Sequence, residues 1–249
     1  MALANVGSLG TAASAGTGAT SLVMTTGATL EAGNAGVLIA VSDNVSATGN
    51  TNDHTGVVDS TGSNTYTKIY ENTYSLAGSA ADGVTVSIWT VKAASQLTSG
   101  GTVTMSWSAT INDSCATFEE FTLTNALELA QTPPQLEQSA ASSHPISRTI
   151  SSLSSQEYLF VRAVGKEINS TTVLTATSGF ATFTGTRSRN NAAATLVRGE
   201  WDIATGTGST SAPSMNVISD TTSIFVALKE GAGGGGSAFP HHYYQLMRA

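Results

Sequence analysis

The stretch Thr102–Ile111 reads TVTMSWSATI, and its alternation decides the fold class. Val103, Met105, Trp107, Ala109 and Ile111 fall on one side of an extended chain, while Thr102, Thr104, Ser106, Ser108 and Thr110 fall on the other. That period of two is the pattern of a strand with one apolar and one hydroxylated face. Upstream, Val84–Val91 places Val84, Val86 and Ile88 on one side and Thr85, Ser87, Trp89 and Val91 on the other. Asp82-Gly83 precedes this run and Ser99-Gly100-Gly101 closes the connection that follows it, which is turn chemistry at strand boundaries.

Similar runs recur at Leu22–Thr25, Val37–Ser42, Thr65–Glu71, Phe118–Thr124, Tyr158–Val164, Phe180–Thr184, Thr195–Ile203, Met215–Ile218 and Ile224–Lys229. They predict about a dozen strands of ordinary length. Helical periodicity is confined to Asn125–Gln131 (NALELAQ), where Pro133-Pro134 limits any helix to a turn or two. Strands without intervening helices must pair antiparallel. The expected class is therefore all-β, an antiparallel β-sandwich of jelly-roll kind with extended N- and C-terminal arms. Trp89, Trp107 and Trp201 each sit inside an alternating run, which assigns them to core packing rather than to a sugar-stacking row.

Composition narrows function. Only 11% of the 249 residues are charged, against roughly 25% in an average domain, so hydroxyls, amides and glycine must cover the surface. Such a surface lets protein neighbours approach without desolvating many charges. Ten Lys and Arg stand against seventeen Asp and Glu, for a net charge of −7, and the cations are scattered singly. Phosphate binding needs convergent cations, so no nucleic-acid partner is expected. The first twenty residues carry no Lys or Arg and no h-region, and no uncharged apolar run reaches 18 residues, so neither a secretory signal nor a membrane span is expected.

Three parts are expected: an N-terminal arm over residues 1–20, a sandwich body over 21–230, and a glycine-rich hinge with a docking tail over 231–249. Gly231–Gly236 cannot pack a core. Beyond it, Phe239, His241, His242, Tyr243, Tyr244, Leu246 and Met247 concentrate aromatic and apolar surface suited to gripping a neighbour.

The sequence predicts no catalytic residues, no cofactor and no metal. Walker A, G-x-S-x-G and H-E-x-x-H sequences are lacking, and a poly-glycine match to G-x-G-x-x-G lacks the following helix. His241 and His242 are adjacent, so in an extended chain they point apart. The segment from Asp43 to Asp59 (DNVSATGNTNDHTGVVD) has the oxygen-rich mix a Ca²⁺ ion favours, but it departs from the EF-hand pattern and reads as turn composition. Glu119 and Glu120 face opposite ways on a strand and read as solvated edge charges. Cys115 is the only cysteine, which excludes an intrachain disulfide and a cysteine zinc cage.

The stretch Gly56–Trp107, GVVDSTGSNTYTKIYEN followed by GVTVSIWTVKAASQLTSGGTVTMSW, resembles a β-sandwich module of phage virion proteins and some bacterial surface proteins. Its Asp-x-x-Gly-Asn-x-Tyr turn is matched by Asp59, Gly62, Asn64 and Tyr66, with Ser63 inserted. The later EYLFVRAVG and SIFVALKE runs suit the module's second half, so the resemblance spans residues 22–229. It implies a particle-surface or adhesive sandwich with no inherited catalytic residues. The expectation is a capsid decoration protein on a virion surface, binding the major capsid protein or other virion proteins and forming a homo-oligomer. The alternative is a tail-fibre or adhesin module that binds a glycan or host receptor.

Overall fold

The structure is a computed structural model that describes residues 3–43, 52–75, 83–131, 135–139, 147–168, 176–188, 194–210 and 220–231, the side chains of 15–17, 135–139, 168 and 194 excepted. Among the described residues every regular element is a strand, in the order β1 (Ala4–Thr25), β2 (Ala35–Asp43), β3 (His54–Asp59), β4 (Tyr66–Tyr74), β5 (Val84–Lys92), β6 (Thr102–Thr122), β7 (Leu127–Leu129), β8 (Gln135–Ser139), β9 (Arg148–Ile150), β10 (Glu157–Ile168), β11 (Ala181–Thr182), β12 (Thr186–Arg187), β13 (Ala194–Thr205), β14 (Gly208–Thr210) and β15 (Thr221–Glu230). All the pairings are antiparallel. One sheet runs β1-β6-β2-β5-β4 with β3 also on β6; a second runs β11-β13-β10-β15-β7 with β12 and β8 on its flanks; β9 and β14 form a short pair.

The two large sheets pack face to face as a β-sandwich. Val37, Ile39 and Val41 of β2, Val84, Val86 and Ile88 of β5, and Cys115 and Phe121 of β6 meet Leu159, Val161 and Ala163 of β10 and Ile224, Val226 and Leu228 of β15. Trp201 stands edge-on to Phe121 at 5.5 Å, an arrangement favoured by the ring quadrupoles.

The first sheet is also buried on its other face, because it rolls over on itself. β1 and β6 are 22 and 21 residues long, far more than β2 can pair with. β2 pairs with Ser114–Phe121 only, whereas β3 pairs with Val103–Trp107. Between these halves the β1–β6 register slips around Ala15–Ser21, with Gly18 at φ 60° at the corner. The ribbon bends there, and the end of β1 comes back to its start, where Gly27 N–H donates to Leu9 O at 2.7 Å. Leu9, Leu22, Met24, Leu38, Trp89, Met105, Trp107 and Phe118 fill the roll. The sandwich thus acquires a third wall, made of β3 and the folded-over halves of β1 and β6.

Several expectations change in detail. The segment expected as an arm over residues 1–20 supplies, from Ala4, the first strand of the roll. Thr102–Ile111 and the Phe118–Thr122 part of Phe118–Thr124 belong to one bent strand, with Leu123 and Thr124 beyond its end. NALELAQ is not a helical turn: Leu127–Leu129 pairs with Leu228–Glu230, burying Leu127 and setting Glu128 beside Lys229 at 3.1 Å. The L-E-L alternation overrides local helix preference because β15 offers an open edge. Met215–Ile218 lies outside the described residues.

Close approach between the sheets depends on Gly199 of β13, where an added Cβ would lie 2.5 Å from Ile39 Cδ1 and 2.6 Å from Phe183 Cδ2. Gly199→Ala is expected to cost about 1–3 kcal/mol through overpacking, read as a lower urea midpoint with an unchanged m-value; wild-type stability would show that the layers are looser than described.

Candidate functional site

The residues with the richest chemistry gather inside one end of the roll. On the inner face of β2, β4 and β5, Ser42 stands beside Thr85, Thr73 beside Thr85, and Glu71 beside Ser87. These are the hydroxylated positions of alternating strands, and they would have faced solvent in a flat sheet. Instead β3 covers them, and Asp53 and His54 are 2% and 1% exposed.

His54 bridges two strands. Its Nε2 lies 2.9 Å from Ser42 Oγ and its Nδ1 lies 2.6 Å from Ser87 Oγ. Ser42 Oγ donates its proton to Asp43 O at 2.7 Å, so it accepts from Nε2–H. Ser87 Oγ accepts from Trp89 Nε1 at 2.8 Å and donates to Nδ1. The hydroxyls therefore assign a neutral, Nε2-protonated imidazole. The ring packs on Trp107 at 4.5 Å between centroids. Burial, reinforced by the Lys68 charge, pushes its pKa down to about 3.

Glu71 and Lys68 of β4 act on the backbone of the neighbouring segment. Glu71 accepts from Asp53 N–H at 2.6 Å and from His54 N–H at 3.1 Å, while Lys68 Nζ donates to His54 O at 2.8 Å and pairs with Glu71 at 2.9 Å. Two side chains thus stand in for the main-chain ladder that β3 and β4 do not form. Burial raises the Glu71 pKa against the opposing pull of Lys68 and the two N–H donors. The Asp53 carboxylate accepts from Thr85 Oγ1 at 2.9 Å, and Asp53 O accepts from Ser108 N–H at 2.8 Å.

The turn that carried the resemblance lies at the opposite end of β3 and β4. Asp59 Oδ1 accepts from Thr61 N–H at 3.0 Å and from its hydroxyl at 2.6 Å, while Oδ2 accepts from Asn64 Nδ2 at 2.8 Å and from the Tyr66 hydroxyl at 3.2 Å. Asn64 in turn holds Ser95 through both its amide groups, and Gly62 takes φ 67°. Burial, with help from Asp59, raises the Tyr66 pKa. These residues build a turn and present no reactive atom to solvent.

The structure separates the other polar residues of interest. Glu119 and Glu120 are 4% and 2% exposed rather than solvated, because β6 is an interior strand flanked by β1 and β2. Glu119 accepts from Asn5 Nδ2 at 3.0 Å, and Glu120 accepts from Glu31 N–H at 2.9 Å and Asn34 Nδ2 at 2.7 Å on the other face. Burial raises the Glu119 pKa. Of the Asp43–Asp59 segment, residues 44–51 lie outside the described residues; Asp43, Asp53 and Asp59 are bound to different partners. Among the described residues no group of three His, Cys, Asp or Glu could hold a metal ion. Phe239, His241, His242, Tyr243, Tyr244, Leu246 and Met247 all lie outside the described residues. What sequence reading missed is the Lys68–Glu71–Asp53–His54 cluster, whose members look like ordinary loop and strand polar residues until the roll closes.

The cluster is a lock, with its polar atoms turned toward one another. Unfolding frees His54 to bind a proton near pH 6.5, whereas the folded chain takes it up only near pH 3. Stability from this residue is therefore present well above pH 6.5 and is lost as pH falls toward 3, by on the order of 5 kcal/mol, while Glu71 works in the opposite sense. Urea melts from pH 7 to 4 should show a steeper loss for wild type than for His54→Gln; parallel curves would remove His54 as the cause. Burial also pushes the Cys115 thiol up to about 12, so the native chain should leave a thiol reagent untouched and release one reactive thiol on unfolding.

Comparison with family models, with curated proteins and with solved structures returns no match for this chain.

Proposed function

We propose that the chain is a structural, non-enzymatic subunit of a virion surface, a capsid decoration protein that holds the major capsid protein or another virion protein and sister copies of itself. The observation that carries this reading is the contrast between inside and outside. The acid, base and hydroxyl groups of the roll are engaged with one another beneath its third wall, where no substrate reaches them. The parts of β1 and β6 in that same wall come from residues 1–30 and 93–112, which contain no Asp, Glu, Lys or Arg, and the one charged residue of β3, Asp59, is buried. An exterior without charges suits a contact with another protein, because no ion must be desolvated when the surface is covered.

The segment beyond Gly231 supports the same reading through its composition. Gly231 N–H donates to Ala126 O at 2.8 Å, and the Glu230 carboxylate accepts from Thr124 N–H at 2.9 Å, so the body's last strand is tied off before the aromatic stretch begins. A tethered second contact raises avidity on a symmetric lattice without enlarging the first.

Mass spectrometry of gradient-purified particles should find the chain at a fixed ratio to the major capsid protein, and removal of residues 232–249 should lower its occupancy at least tenfold while leaving the thermal midpoint within about 2 °C, the size of shift a few tenths of a kcal/mol produces. Absence from particles together with glycan-array binding by the intact chain would replace the proposal with an adhesin.

A further inference from the structure

Asp53 and His54 are buried with no aliphatic side chain beside them in the strand to anchor them. Asn52 and Thr55 are exposed and Gly56 is half-buried, so the start of β3 puts no aliphatic group into the roll. β2, by contrast, buries Val37, Leu38, Ile39, Ala40 and Val41 completely. When a segment opens, its polar groups exchange protein partners for water, whereas buried apolar area has no such replacement. The start of β3 therefore costs little to open.

The ladder marks where such an opening stops. His54 is opposite Trp107 and Gly56 is opposite Ser106, so Thr55 is skipped and the strand bulges there. Beyond the bulge Val57 is buried, and the Asp59 carboxylate accepts from Thr61, Asn64 and Tyr66, which fixes the far end of β3.

We propose that residues 53–55 are a flap that opens about the bulge before Gly56 while the rest of the roll stays closed, and that His54 takes up a proton as the flap opens. In the closed state both ring nitrogens are committed, Nε2–H donating to Ser42 and Nδ1 accepting from Ser87. A second proton on the ring would set a donor against the Ser87 hydroxyl hydrogen. The groups facing the ring from β2, β5 and β6 are Ser42, Ser87 and Trp107, which carry no charge. The charged groups around it are Lys68 and Glu71 of β4 and the adjacent Asp53, and with burial the Lys68 cation opposes protonation. In water the ring recovers its ordinary affinity for a proton, so opening is favoured as pH falls below 6.5. Between pH 7 and pH 5 the His54 contribution multiplies the opening constant by about 25. Glu71 works against it, because burial raises its pKa in the closed state. The flap does not depend on the virion role proposed above.

The N–H groups of Asp53 and His54 both donate to Glu71, so their hydrogen exchange reports the flap directly. In the full chain at pH 7 these two amides are expected to exchange roughly tenfold or more faster, relative to their intrinsic rates, than those of Val86 and Ile88 in β5. From pH 7 to pH 5 their protection should fall roughly tenfold or more further in the wild type than in His54→Gln, where Glu71 contributes equally and the imidazole is gone. Glu71→Gln leaves one acceptor for two donors, and it should speed exchange at residues 53 and 54 at pH 7 while β5 keeps its protection. Exchange of Asp53 and His54 in step with β5 overturns the flap, as does a Glu71→Gln variant in which β5 loses protection to the same degree. Parallel pH curves for the wild type and His54→Gln overturn the coupling to the proton.

Discussion

The N–H groups of Asp53 and His54 and the carbonyl of His54 point away from β6 toward a strand that does not reach them. Left bare in the interior, each would cost about 1–3 kcal/mol. Glu71 and Lys68 meet all three, and they neutralise each other while doing so. The covering of β2 and β5 by the start of β3 rests on that substitution of side chains for a ladder. Because β3 can be held over β2 and β5, the bent halves of β1 and β6 have a wall to complete, and the apolar residues beneath them become a core.

Closing the roll changes what a hydroxyl means. Ser42, Thr85 and Ser87 alternate with core residues in a pattern that normally marks a solvent face, yet they are 1%, 0% and 0% exposed. They serve as partners for Asp53 and His54. A serine or threonine is small enough to lie under a covering strand and still satisfy a buried imidazole or carboxylate, whereas a charged residue there would need its own counter-ion. The sparse charge of the chain and its double-sided burial thus have a common origin.

The strands and their antiparallel pairing were legible because alternation is local: Val84, Val86 and Ile88 do face the second sheet, and Trp89 and Val91 face the roll. What was not legible is long-range. Nothing near Glu119 and Glu120 announces that β1 will cover their edge, since β1 comes from the other end of the sequence. Nothing near Lys68 and Glu71 announces that Asp53 and His54 will lie above them. Asn125–Gln131 reads as a helical turn until β15 offers Leu127–Leu129 an edge to join. The site shares this limit, being made of side chains whose roles exist only once distant strands meet.

The pairing of β1 with β6 also sets a schedule. Ala4 is matched with Thr122 and Thr25 with Thr102, so the first strand leaves the ribosome well before any part of its partner has been synthesised. Contacts so distant in sequence form slowly. In that interval the nascent chain exposes a long, uncharged, proline-free strand, the kind of segment that joins other chains when left unpaired. Gly7, Gly10 and Gly18, which interrupt the regular extended run of the folded strand, give that segment weak strand-forming positions while it waits.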